Sequence, residues 1–216
     1  MTVLHVKTAR AIWMVDSRDL NPHGIDISEA LAAVKDRYSF QIYPKTMEDS
    51  SEYGPKGLVF ANGSFEFEGG RYTVVKATMY PDGLVADSAL STDFSEAFLA
   101  DLLNYVSTEF GLTYKPEMIH KRLFTSELIV RPDKDLSGLF SPLAVICEQL
   151  TSLTGERFEP TGFGVSIDTV TSTARPAAFR VEREINKSFD QRRYYSSAPL
   201  STKQHEDLLQ ATEALL

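Results

Sequence analysis

A single cysteine, Cys147, is all the thiol chemistry in this chain. That excludes a disulfide framework and a zinc site built from paired cysteines. The four histidines stand at 5, 23, 120 and 205, none at the close spacing of a metal-binding pair. No glycine-rich loop ends in Lys-Ser or Lys-Thr, no dinucleotide fingerprint opens a helix, and no Gly-x-Ser-x-Gly turn is present. Gly162-Phe163-Gly164 leads into a strand pattern, and Gly63-Ser64 lies inside a β pattern, so neither is an exception. No apolar run approaches the roughly 18 residues of a membrane span. The opening MTVLHVKTARAIWMV is broken by His5, Lys7 and Arg10, unlike the core of a signal peptide. The expectation is a cytoplasmic chain with no membrane contact, no cofactor, no metal and no catalytic set.

Positive charge is scarce as well. Against 30 Asp and Glu there are 22 Lys and Arg, a net charge of −8, and the isoelectric point is about 5.1. Residues 1–110 hold 9 basic and 16 acidic side chains; residues 111–216 hold 13 and 14. A duplex-binding surface needs clustered positive charge, so nucleic acid is disfavoured as a partner. Any such contact would use the basic residues of the second half. What the chain does have is apolar content: 43% of its 216 residues are hydrophobic and 24% charged. That is enough apolar surface to offset the entropy of ordering a globular fold.

Hydrophobic spacing predicts the elements. Residues 3–15 read as a strand. Asp26, with Glu29 three places on, has the capping-box pattern for a helix whose stripe is Ile27, Leu31, Val34 and Tyr38. Ser39–Tyr43 reads as a strand, and Pro44–Lys56 as a mobile polar loop. Residues 58–90 form a β meander. Its first turn, Glu68-Gly69-Gly70-Arg71, sets Phe67 opposite Tyr72 and Phe65 opposite Val74. Its second turn is Tyr80-Pro81-Asp82-Gly83-Leu84. Asp93 and Glu96 predict a capped helix with Phe94, Phe98, Leu102, Val106 and Phe110 on one face and Gly111 as its stop. Pro116 opens a shorter helix through Phe124, and Glu127–Arg131 is a strand. Ser141-Pro142 starts a helix with Leu143, Ile146, Leu150 and Leu153 facing inward. Two strands follow, around Phe163–Ile167 and Phe179–Ile185, joined by TSTARPA. Residues 186–200 read as irregular, and Ser201 with Gln204 caps a last helix.

The fold class expected is α+β: an antiparallel β-sheet with helices packed on one face, residues 1–216 forming a single compact unit. Two halves, 1–111 and 125–216, share a coarse β-α-β-β-α order. Each also carries a basic-Asp-Leu triplet in its first loop, Arg18-Asp19-Leu20 and Lys134-Asp135-Leu136, a pattern that a duplication would leave and that shared helix–strand order also produces by chance.

Side chains with chemical potential are few. Asp16, Asp19 and His23 share a loop after the first strand, the place for acid–base or metal work. The plainer reading is a turn capped by its own carboxylates. Arg192, Arg193, Tyr194 and Tyr195 place two guanidinium groups beside two rings, suited to a partner interface. His120, Lys121 and Arg122, with Lys115, make a basic stretch, read as a solvated face. Glu66 and Glu68 share the outward face of a hairpin, with Asp87 as their only available third metal ligand. Cys147 and Trp13 are expected in the core. These features favour a non-enzymatic interaction or assembly protein, working through self-association or a protein partner at Arg192–Tyr195. Two alternatives are a metal-dependent hydrolase or nuclease using Asp16, Asp19 and His23, and a nucleic-acid-binding protein.

Overall fold

The computed structural model describes residues 1–44, 57–168, 170 and 176–216. The loop expected at Pro44–Lys56 lies outside them apart from Pro44, as does most of TSTARPA. The fold is α+β, with eight strands and five α-helices among the described residues. The chain divides into two compact units, Thr8–Thr125 and Met1–Lys7 with Ser126–Leu216.

The first unit contains most of β1 (Thr2–Met14), then α1 (Ser17–Leu20), α2 (Ser28–Arg37), β2 (Leu58–Phe67), β3 (Gly70–Tyr80), β4 (Gly83–Ser88) and α3 (Thr92–Phe110). Its strands run antiparallel in the order β2-β3-β4-β1. Helix α3 packs on β4 and β2 and against α2. Its stripe of Phe94, Phe98, Leu102 and Val106 is buried as the four-residue spacing predicts, and Gly111 closes it at φ 71°. The cap is Ser91, whose hydroxyl accepts from the Phe94 N–H at 3.1 Å, two residues before the expected Asp93. The N-cap of helix α2 is Ile27, one residue after the expected Asp26. Asp26 accepts from the Ser28 N–H at 2.9 Å in a local turn, so the expected capping box does not form.

The hairpin register differs from the expected one. Phe65 faces Tyr72 and Phe67 faces Gly70, so the two turn residues are Glu68 and Gly69, both at positive φ. Gly70 belongs to β3, where the Tyr72 ring lies over it; an added Cβ would come within 2.6 Å of the Tyr72 hydroxyl. Ser39–Tyr43 is not a full strand. Ser39 turns at φ 55°, and only Ile42 bridges to Ala61.

The second unit contains β5 from Ser126 (the strand is Lys121–Arg131), α4 (Ser141–Thr154), β6 (Gly162–Val165), β7 (Phe179–Arg183), β8 (Tyr194–Ala198) and α5 (Thr202–Ala214). Its strands run antiparallel in the order β6-β7-β8-β5. The helix expected from Pro116 to Phe124 is a 3-10 turn, Pro116–Met118, before β5 begins at Lys121. The segment expected to be irregular holds β8, hydrogen-bonded on both sides to β5 and β7. Its inward positions are Tyr194, Ser196 and Ala198, so its alternation is of burial and not of apolarity. Ser201 and Gln204 form the predicted capping box of α5.

Helix α4 departs most from its sequence pattern. Ser141 to Gly155 is helical as expected, yet no residue of α4 is buried. Leu143 and Leu150 are exposed, with Ile146 at 52% and Leu153 at 82%.

Both units run strand, helix, three-strand meander, helix, with the same strand order. The first meander has the three strands that its two turns predict, and the second gains β8 beyond the two strands expected.

Candidate functional site

The Asp16–His23 loop folds back on itself. Asp16 caps α1 and accepts from the Arg18 N–H at 2.8 Å. It also accepts from the Arg18 guanidinium at 2.6 and 3.0 Å. Those bonds hold its carboxyl down at about 2. Asn21 bonds both backbone groups of Ile25 at 2.8 Å, and Asp19 and His23 are exposed. Among the described residues no three His, Cys, Asp or Glu side chains gather where they could hold a metal ion, these three included. The loop instead walls an apolar cavity of about 510 Å³ with Leu20, Ile25, Ile27, Leu103 and Val106.

The basic stretch His120, Lys121 and Arg122 is exposed, and of the three only Arg122 has a side-chain role in packing among the described residues. Arg122 stacks on Trp13, 4.8 Å from the ring centre, and lies 3.7 Å from Glu96. Glu96 in turn accepts from the Trp13 indole N–H at 3.1 Å. Trp13 is in the core, as expected. Asp87, the third ligand imagined for Glu66 and Glu68, is gripped by Arg10 at 2.6 and 2.8 Å. Cys147 lies on α4 and is half-buried, not enclosed in a core.

Arg192–Tyr195 spans the end of a turn and the start of β8. Tyr194 is 2% exposed and packs in the second unit's core, which also holds Leu128, Val130 and Val181. Tyr195 is half-buried, with the Lys7 ammonium 5.7 Å from its ring centre. Burial and the Glu127 carboxylate push its phenol up to about 12. Arg193 pairs with Glu184 at 2.6 Å, and the Arg192 guanidinium donates to the Asp133 carbonyl at 3.3 Å. The two arginines share one polar groove, while Tyr194 points away into the core.

Three features escape sequence reading. The first is a buried chain of hydrogen bonds: Ser126 Oγ lies 2.7 Å from His205 Nδ1, and Ser196 Oγ 2.8 Å from His205 Nε2. All three residues are fully buried, so no substrate reaches them, and burial pulls the imidazole down to about 4. The second is an apolar groove of about 660 Å³ in the second unit. It is lined by Phe140, Phe163 and Val165, by Phe179 from β7, and by Leu208 and Thr212 from α5. Its volume suits an apolar occupant. The third is the polar groove of about 950 Å³ around Arg192, which gathers His5, Arg131 and Lys187 from distant segments. No local motif marks any of the three, because each is assembled across strands.

No helix among the described residues is long and apolar enough to cross a membrane. Comparisons with protein-family models, with curated proteins and with solved structures found no match to this chain.

Proposed function

We propose that this chain is a non-enzymatic assembly protein in which α4 of one copy seats in the apolar groove of a second copy. The observation that carries the reading is that α4 has an apolar stripe and no buried residue. An isolated helix of this length is marginal in water, and its stability comes from packing an apolar face. The occupant is argued from the internal similarity of the units. Helix α2 follows the first strand of its unit and buries Ala30, Leu31 and Val34 while packing against α3. Helix α4 follows the first strand of the other unit, where the counterparts of β2 and α3 line an apolar groove. Charge supports a second copy as the donor. The molecule carries −8, yet α4 holds a single charged side chain, Glu148, so like-charged copies can meet there.

Full burial of a Leu or Ile side chain is worth about 1.5–3 kcal/mol. Two reciprocal contacts, each burying Leu143, Ile146, Leu150 and Leu153, offset an association cost on the order of 10 kcal/mol. The reading moves the contact away from Arg192–Tyr195, because Tyr194 serves the core and Arg193 its ion pair with Glu184.

Sedimentation equilibrium tests it. The wild-type chain should dimerise at micromolar concentration. Ile146→Glu with Leu150→Glu should give a monomer that unfolds as cooperatively as the wild type and loses at most the helical signal of α4, since both residues are exposed. Val165→Arg, in the groove, should do the same. Mixing the two variants should restore a weak heterodimer, because one intact helix still finds one intact groove. A wild-type monomer, or variants that dimerise normally, overturns the reading.

A further inference from the structure

We infer that the polar groove of the second unit is a docking site for an acidic segment of a protein partner. The groove joins the end of β5, the start of β1 and the turn before β8, and spans about 950 Å³. Its cations are Arg131, Lys187, Arg192, Arg193 and the imidazole of His5. Arg193 is neutralised by Glu184 at 2.6 Å. Among the described residues Arg131, Lys187 and Arg192 have no carboxylate within ion-pair distance, and all three are exposed.

Both carboxylates in the lining have partners, though the Met1 ammonium facing Asp133 is shared with Glu213. Asp133 faces the Met1 amino group at 2.9 Å, and Asp190 faces Arg157 at 3.2 Å. The groove therefore presents three cationic side chains with no ion-pair partner among the described residues, on a chain whose net charge is −8. Three like charges gathered in one groove repel one another, and a bound anion relieves that repulsion.

The geometry selects the class of anion. Arg131 and Arg192 can each fork onto a carboxylate with two parallel N–H donors, and Lys187 adds a point charge. The groove is lined by no Phe, Tyr or Trp, so it lacks the large stacking platform that single-stranded bases use. The Phe189 ring is taken by Arg183 and Arg157, at 4.6 and 5.5 Å from its centre. Leu4 and Pro132 give the groove an apolar edge against which peptide side chains can pack. A long polyanion would leave the groove for an acidic surface, whereas a short acidic peptide segment would not.

Arg192 holds its backbone in the left-handed region at φ 46°, a conformation costly for a residue with a side chain. Arg192→Gly therefore separates binding from folding, because glycine adopts that conformation without cost.

Fluorescence anisotropy with a labelled oligoglutamate peptide tests the site in the full chain at low salt. The wild type should bind, with affinity falling as salt rises. Lys187→Ala and Arg192→Gly should each weaken binding about tenfold, a change of about 1.4 kcal/mol. The Arg192→Gly chain should be no less stable to urea than the wild type. Oligothymidylate of the same length should bind more weakly than the peptide, and inorganic phosphate at equal charge should not displace it. No binding at low salt, unchanged affinity in both variants, or tighter binding of oligothymidylate overturns the inference. Because this surface shares no residue with α4 or its groove, a failure here leaves the assembly reading standing, and the converse holds.

Discussion

His205 shows how three buried polar side chains can settle one another's protons. The Ser196 hydroxyl has one proton and gives it to the Arg180 carbonyl at 2.7 Å. Toward His205 Nε2 it can then only accept, so Nε2 carries the hydrogen. The neutral ring is left with a bare Nδ1, which accepts from the Ser126 hydroxyl. No position remains for a second ring proton without breaking a buried bond. Desolvation therefore holds the imidazole at about 4 in the folded chain, against an ordinary value of 6.5. The unfolded chain binds this proton more readily than the folded one. The contribution is fully present above pH 6.5 and is lost as pH falls toward 4. The expected loss is about 3 kcal/mol. Urea unfolding measured at intervals between these limits should show it, and the slope should vanish in a His205→Phe variant. A wild-type stability that is flat across the window would remove this account.

Helices and strands were legible where their own residues carried the period. Phe94, Phe98, Leu102 and Val106 gave away α3 because every fourth residue is large and apolar, and all four are buried. Strand β8 was illegible because Ser196 and Ala198 occupy its inward positions, and its pairing depends on the distant strands β5 and β7. The hairpin turn was misplaced because two adjacent glycines offer two registers, and the Tyr72 ring over Gly70 decides between them. In α4 the period was right, but a period reveals an apolar face without revealing what covers it. Of the candidate site residues, Arg192 and Arg193 were legible as a pair. Their companions Arg131 and Lys187 were not, since only the fold brings them together.

The turn just after α2 also depends on a contact that spacing cannot reveal. Phe40 is 2% exposed and lies flat on Gly63 of β2, with Phe60 and Phe98 at ring-centre distances of 5.2 and 6.1 Å. A Cβ on Gly63 would come within 3.0 Å of Phe40 Cγ, and the packed rings leave Phe40 no room to retreat. Gly63→Ala should therefore cost about 1–3 kcal/mol by overpacking. Thermal denaturation checks this, and an unchanged midpoint would mean that Phe40 repacks freely.

At the scale of the whole molecule, two surfaces of opposite character occupy the second unit of an acidic chain. One is a neutral apolar helix with an apolar groove, and the other a basic groove. Salt acts on them in opposite directions. Two copies bearing −8 each repel before α4 can meet its groove, and added salt screens that repulsion while leaving apolar burial intact. Self-association should hold or strengthen as sodium chloride rises. The contact of Arg131, Lys187 and Arg192 with a carboxylate-rich peptide is attraction between exposed charges, so the same salt weakens it. Sedimentation equilibrium and peptide anisotropy, run on one preparation across one salt series, should give affinities that diverge. If self-association falls with salt in parallel with peptide binding, copies are held together by charge, and α4 is not what joins them.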